Sequence, residues 1–336
     1  MRTSIHRIVL LLAFAGCVDP DQTPRESDLQ VELQMSSPVF AGHEPVIAEV
    51  TIVNTSDRPV QLLSWYLPTS DLQEPVFAIT RDGRPVAYVG PRYKRAQPDS
   101  SDFIALAPGA RSSWQVDLSQ FYDLSQTGDY AVQVALDDAK LSGGTGTIAA
   151  TTSPVWIEGR VAVAEKGSHG KACTSAEQAL IASAITNGGA YSNAARDYLG
   201  GPASGTPRYT TWFGAFSAAG WNTAHNHFVA IADAFATKPI TVACGCKQKN
   251  VYAFVNPSQP YQITVCGAFW QAPATGTDSQ AGTLVHEMSH FDVVASTDDN
   301  AYGQTACKAL AQSDPAAALD NADTHEYFAE NTPAQP

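Results

Sequence analysis

The stretch Thr283–Gly303, TLVHEMSHFDVVASTDDNAYG, holds two histidines four residues apart, a glutamate beside the first, and three acids past the second. Residues i and i+4 of a helix share one face, so His286 and His290 can reach a common point. Leu284, Val285, Met288, Phe291 and Val294 form an apolar stripe that would bury the rest of such a helix. Either the stretch grips a cation, or it is an amphipathic helix with its polar residues on the wet side.

His286-Glu287-Met288-Ser289-His290 has the H-E-x-x-H spacing in which two imidazoles hold zinc and the glutamate holds a water. A catalytic zinc keeps three protein ligands and one open position. Candidates for the third ligand are Asp292, Asp298 and Asp299. Asp292 lies two residues past His290, roughly 200° around a helix and away from the shared face. Asp298 and Asp299 both lie beyond the helix, and spacing does not separate them.

The 336-residue chain is comfortable for two domains. With 44% hydrophobic and 16% charged residues it supports a packed core. A formal net charge of −13 argues against nucleic acid and anionic membranes as partners, since it repels phosphates. Arg2 and Arg7 flank the start of the apolar run Ile8–Phe14, and Ala15-Gly16-Cys17 follows. This reads as an export signal, too short to span a bilayer as a mature helix. Cys17 stands where a bacterial lipobox carries its lipidated cysteine, although Phe14 replaces the usual leucine; ordinary cleavage nearby is the competing reading. Residues 18–28 would then be a polar tether, with membrane attachment through one lipidated end. The destination is the bacterial cell envelope, or the medium after processing.

Export predicts an oxidising compartment for Cys173, Cys244, Cys246, Cys266 and Cys307. Five is odd, so at least one has no partner within the chain. Cys244 and Cys246 would point to opposite faces of a strand.

Two halves follow different patterns. In residues 29–158, VELQM, VIAEVTIVN, VQLLSW, VFAITRDG, SSWQVDL and YAVQVAL alternate apolar and polar residues, separated by turn signals such as NTSDRP and APGA. An immunoglobulin-like β-sandwich is expected, with Tyr130 in the place of a corner tyrosine. No catalytic cluster is visible there. Residues 159–171 read as an exposed linker containing Lys166 and Lys171. Residues 172–336 mix helices and strands. A helix is expected after Cys173, capped by Ser175 and interrupted at Gly188-Gly189, and another over AAGWNTAHNHFVAIADAFAT. ITVACGC, NVYAFVN and YQITVCGAFW read as strands, giving an α+β domain.

GTLVHEMSHF, STDDNAYGQ and NADTHEYFAENTP together resemble the deuterolysin, or aspzincin, metallopeptidases, most of all the fungal and bacterial peptidyl-Lys metalloendopeptidases. The similarity runs back through TGTDSQAG, VCGAFW and TPRYTTWFG to Cys173, about half the chain. The family carries H-E-x-x-H followed by G-T-x-D-x-x-Y-G. The resemblance therefore implies one Zn2+ on His286, His290 and Asp299, with Glu287 as general base and Tyr302 as oxyanion donor. Ser296 stands where the family has glycine. The resemblance also implies disulfides Cys173–Cys244 and Cys246–Cys266, leaving Cys307 as a buried free thiol.

Asp323 and Glu326 are spaced as a helix cap and its third residue. By resemblance they would instead form the acidic pocket for the lysine after the cut, with His325 supporting the loop. The resemblance implies an α+β zincin-type metallopeptidase domain, an endopeptidase that cleaves lysine-containing proteins before lysine. Substrate is expected to lie along an edge strand at Val265–Trp270. Lys166 and Lys171 become candidate self-processing sites, and the β half a prodomain and inhibitor. Two rivals are an endopeptidase without lysine preference and a non-catalytic surface lipoprotein with a structural metal.

Overall fold

The computed structural model describes residues 27–160 and 173–336. Cys17, Lys166 and Lys171 lie outside the described residues. The first half is built from strands β1 (Leu29–Met35), β2 (Val39–Phe40), β3 (Ile47–Asn54), β4 (Val60–Leu63), β5 (Phe77–Arg81), β6 (Arg84–Pro85), β7 (Arg92–Arg95), β8 (Phe103–Leu106), β9 (Arg111–Asp117), β10 (Gly128–Asp137), β11 (Thr147–Ala149) and β12 (Ser153–Ile157). One short helix, α1 (Asp138–Ser142), follows β10.

Period-two burial drives this half. Strand β3 buries Ala48, Val50 and Ile52, and β10 buries Tyr130, Val132, Val134 and Leu136. Their inward faces belong to a β1-β3-β9 sheet and a β2-β12-β10-β5-β6 sheet, with β11 beside β10 and β4 paired to β8. The two faces meet in one apolar core. Tyr130 Oη donates to the carbonyl of Gln126.

The second half contains α2 (Ser175–Leu199), α3 (Pro207–Phe213), α4 (Ala218–Thr237), β13 (Thr241–Ala243), β14 (Val251–Val255), β15 (Gln262–Val265), α5 (Gln280–His290), α6 (Gly303–Ser313), α7 (Pro315–Leu319) and α8 (Ala322–Glu330). Cys173 is joined to Cys244 and Cys246 to Cys266, and Cys307 is free and buried. Among the described residues no helix is long and apolar enough to cross a membrane.

Three sequence expectations are corrected here. The cap of α2 is Thr174, not Ser175: its hydroxyl accepts from Glu177 N while Glu177 accepts from Thr174 N. Nor do Gly188-Gly189 break the helix. A Cβ at Gly188 would stand 3.0 Å from the Phe235 ring and 3.2 Å from the Ala281 carbonyl. The missing side chain lets α2 close on α4 and α5, which offsets the roughly 1 kcal/mol that a helical glycine costs.

The third correction concerns the free edge. The sheet order is β13-β15-β14-β7, so β15 is interior. Val265 ends β15, and Phe269–Gln271 form a 3-10 turn. Alternation marks a strand without saying whether its neighbours are both present. The second half's own strands have two edges, β13 and β14, and β7 of the first half pairs antiparallel with β14. RYKR carries no strand pattern, so β7 was not expected from the sequence.

Helix α3 buttresses α8: Trp212 stacks on Tyr327, and Phe213 meets Phe328 and His325. Gly214 ends α3 at φ 77°, ψ −153°, a conformation that essentially only glycine adopts. A Cβ there would fall 2.0 Å from the Ala311 carbonyl oxygen. Gly214→Ala is expected to destabilise the second half by about 3 kcal/mol or more, read as a lower denaturation midpoint; an unchanged midpoint would contradict this packing.

Candidate metal centre and its acidic pocket

All eleven residues of α5 are buried, including His286, Glu287 and His290 at 0% exposure. This removes the reading of a helix with a wet polar side. The two imidazoles reach one point, with Nε2 atoms 3.1 Å apart. Asp299 joins them, its Oδ1 3.2 Å from His286 Nε2 and its Oδ2 3.5 Å from His290 Nε2. The two acids that spacing left together part in the structure: Asp298 turns away to pair with Arg92 at 2.6 Å. Asp292 is exposed.

The cluster asks for a cation. Asp299 Oδ1 and both Glu287 oxygens are buried without a hydrogen-bond partner, an arrangement that costs several kcal/mol unless something positive satisfies it. Burial opposes the charge on Asp299, but the two imidazoles outweigh it and hold the carboxyl well below its ordinary range. Burial likewise opposes a charged His286, yet Asp299 and Asp323 raise it to about 10. Two imidazoles and one carboxylate with ligand atoms within 4.8 Å of one another are the protein donor set of a catalytic zinc, and the residues fit it.

Surrounding groups aim the ligands. His290 Nδ1 lies 2.8 Å from the Thr297 carbonyl, which fixes the ring with Nε2 inward. His286 Nδ1 lies 2.8 Å from Asp323 Oδ1. The loop bearing Asp299 is held by Asn321, whose Oδ1 accepts from Asn300 N and Ala301 N at 2.9 Å each. Asn321 went unnoticed in the sequence; its position just before Ala322, where a helix begins, was the available signal. Ser296 reverses the chain between α5 and this loop at φ 54°, which explains why glycine suits the position.

Glu287 is set for proton transfer. Burial pushes its carboxyl up to about 7, against the pull of both imidazoles, a value suited to a base working near neutrality. Burial keeps the Tyr302 phenol protonated, and its Oη donates to Glu74 Oε1 at 3.1 Å.

Asp323 and Glu326 do not make the capping arrangement their spacing suggested. Helix α8 starts two residues earlier, at Ala322, with Asn321 as its cap residue. Asp323 Oδ2 instead accepts from Gly303 N at 2.7 Å. Both acids point into a pocket that shares His286 with the metal cluster. That pocket holds the ammonium of Lys94, from β7. Its Nζ is 2.6 Å from Glu326 Oε2, 3.4 Å from Asp323 Oδ1 and 3.6 Å from Asp278 Oδ1. The Tyr252 ring lies 4.9 Å away. Burial alone would strip the proton from Lys94, but the acids hold its pKa well above the ordinary value. His325 is a neutral core histidine: burial takes it down to about 3, and it meets His227 and the Asn321 carbonyl at 2.9 Å.

Comparison with known proteins follows the same lines. Residues 198–330 match the family model described as lysine-specific metallo-endopeptidase. An extracellular protease of Aeromonas hydrophila is 41% identical over 88% of this chain and 91% of its own. A peptidyl-Lys metalloendopeptidase of Armillaria mellea is 35% identical over 85% of this chain and 87% of its own. Among solved structures, a zinc peptidase from Grifola frondosa is 45% identical, matching 49% of this chain and all of that one with a TM-score of 0.47.

The Ser296 turn gives a direct check. A left-handed residue with a side chain costs about 1–2 kcal/mol, and glycine returns about 0.5–1 kcal/mol of that as unfolded-state entropy. Ser296→Gly is expected to keep metal binding and leave the thermal midpoint equal or slightly raised; a clear fall would contradict the strained turn.

Proposed function

This chain belongs to the aspzincin family and is a zinc metalloendopeptidase, and we propose that it cuts peptide bonds on the N-terminal side of lysine and is made as a zymogen whose β half is the prodomain. The observation that carries lysine specificity is the ammonium held against Asp323 and Glu326, one imidazole away from the metal cluster. A pocket lined by buried carboxylates rejects a neutral side chain, because its charges would be left unpaired. Export is proposed on the N-terminal signal and the similarity to an extracellular protease, with Cys17 as a candidate lipid anchor. The β half is proposed as part of the inherited unit, since similarity to that protease spans most of both chains.

His286, His290 and Asp299 would hold the zinc, which supplies Lewis acidity to the attacking water and the scissile carbonyl when bound. Glu287 takes a proton from the water as its oxygen bonds to the carbonyl carbon. The same carboxyl then gives that proton to the leaving lysine nitrogen as the C–N bond breaks. Tyr302 donates to the developing oxyanion once its phenol is free of Glu74; such donors are worth about 3 kcal/mol. Asp323 has two duties, orienting His286 at 2.8 Å and facing the lysine, whereas Glu326 stands farther from that nitrogen, at 3.6 Å, and chiefly faces the lysine.

Processing at Lys166 or Lys171 by the enzyme itself is part of the proposal. Mass spectrometry of peptides from a defined protein is expected to show lysine as the new N-terminal residue throughout. Cuts spread over other residues would favour an endopeptidase without lysine preference. Glu287→Ala is expected to lower kcat by about 100-fold or more and to leave the linker uncut; a mutant processed like wild type would exclude self-cleavage. Glu326→Gln should raise KM for lysine substrates with zinc retained, while Asp323→Ala should also weaken zinc about 10–100-fold.

A further inference from the structure

The strand that carries Lys94 has the attributes of a bound substrate. It is extended, it lies antiparallel along β14, one of the two edge strands of the second half, and it sets Arg92 against Val255, Tyr93 against Phe254 and Lys94 against Ala253. Peptides bound to a sheet edge are held in this way, by main-chain pairing with alternate side chains entering pockets. Lys94 points into the acidic pocket. Arg95 points elsewhere, over the Trp65 and Tyr93 rings.

The first half also grips the metal loop around this strand. Arg92 pairs with Asp298, Lys140 Nζ donates to the Asp299 carbonyl at 3.0 Å, and Glu74 engages Tyr302. Lys94 is itself fully buried. As a purely structural contact it is a poor choice, because a buried ion pair contributes little that a well-packed apolar side chain would not.

We propose that Lys94 is an internal pseudo-substrate: β7 occupies the track of the substrate on β14, with Tyr93–Lys94 standing for the scissile bond, and holds the intact chain latent. This rests on the lysine-directed reading above and deepens it. It assigns Asp278 as a third carboxylate around the ammonium and β14 as the strand on which substrates lie. Tyr302 is turned to Glu74 while the strand is seated, so the Tyr93–Lys94 bond lacks its oxyanion donor. Latency ends when cleavage in the linker lets the first half leave.

Two measurements test this. In the first, intact chain, verified by mass, is assayed on a fluorogenic peptide with a single lysine. Lys94→Met is expected to raise kcat/KM of the intact chain about tenfold or more, with cooperative unfolding retained; a folded variant as silent as wild type overturns the proposal. In the second, a synthetic peptide of residues 89–98 competes with the substrate on enzyme cut in the linker. Competition is expected to weaken at least tenfold when methionine replaces lysine at the position of Lys94. Equal competition by both peptides overturns the proposal, and this arm stands even if the Lys94→Met chain does not fold. Cut enzyme that ignores lysine in the substrate sinks the lysine-directed reading and this inference together. Lysine-directed cutting with lysine-indifferent competition sinks this inference alone.

Discussion

Charge balance among fully buried side chains organises this molecule. Glu287, Asp299, Asp323 and Glu326 are buried within one neighbourhood with His286 and His290. Left to themselves, such acids would take up protons or swell the fold. They stay because the site has two positive seats. One lies among His286, His290 and Asp299 and suits a divalent cation. The other lies among Asp323, Glu326 and Asp278 and suits an ammonium. His286 links them, with one nitrogen facing each seat.

Everything around these seats serves to hold them apart at fixed distance. Helix α5 supplies two imidazoles and the base from one rigid turn-and-a-bit, and α8 supplies both pocket acids. Glu330, at the far end of α8, accepts from Ser279 N and Oγ at the start of α5, tying the two helices together. The aromatic packing of α3 on α8 and the close approach of α2 at Gly188 brace the pair from behind. The metal cluster and the ammonium pocket thus share a scaffold, and Asp323 cannot be changed for one without touching the other.

The parts legible in the sequence are the local ones. His286, Glu287 and His290 are set by a single helix period, and the strands of the first half by alternation, as in β3 and β10. Separating Asp299 from Asp298 needed the loop's path, which depends on a left-handed Ser296 and on Asn321, 20 and 21 positions along the chain from the residues it holds. Lys94 was illegible for a stronger reason. RYKR shows no strand alternation, and its Lys94 is buried only because acids more than 180 residues later neutralise it. The interior position of β15 failed similarly, since it is decided by a neighbour in space, whereas the cap of α2 is local: Thr174 and Glu177, three residues apart, form a capping box.

The central claim is a single metal seat made by two imidazoles and Asp299, separate from the ammonium seat. Its most direct test is elemental analysis of the purified chain. Wild type and Lys94→Met are each expected to carry one zinc per chain, and Asp299→Ala to carry little or none while still folding. Two zinc ions in Lys94→Met, or one retained in Asp299→Ala, would contradict it.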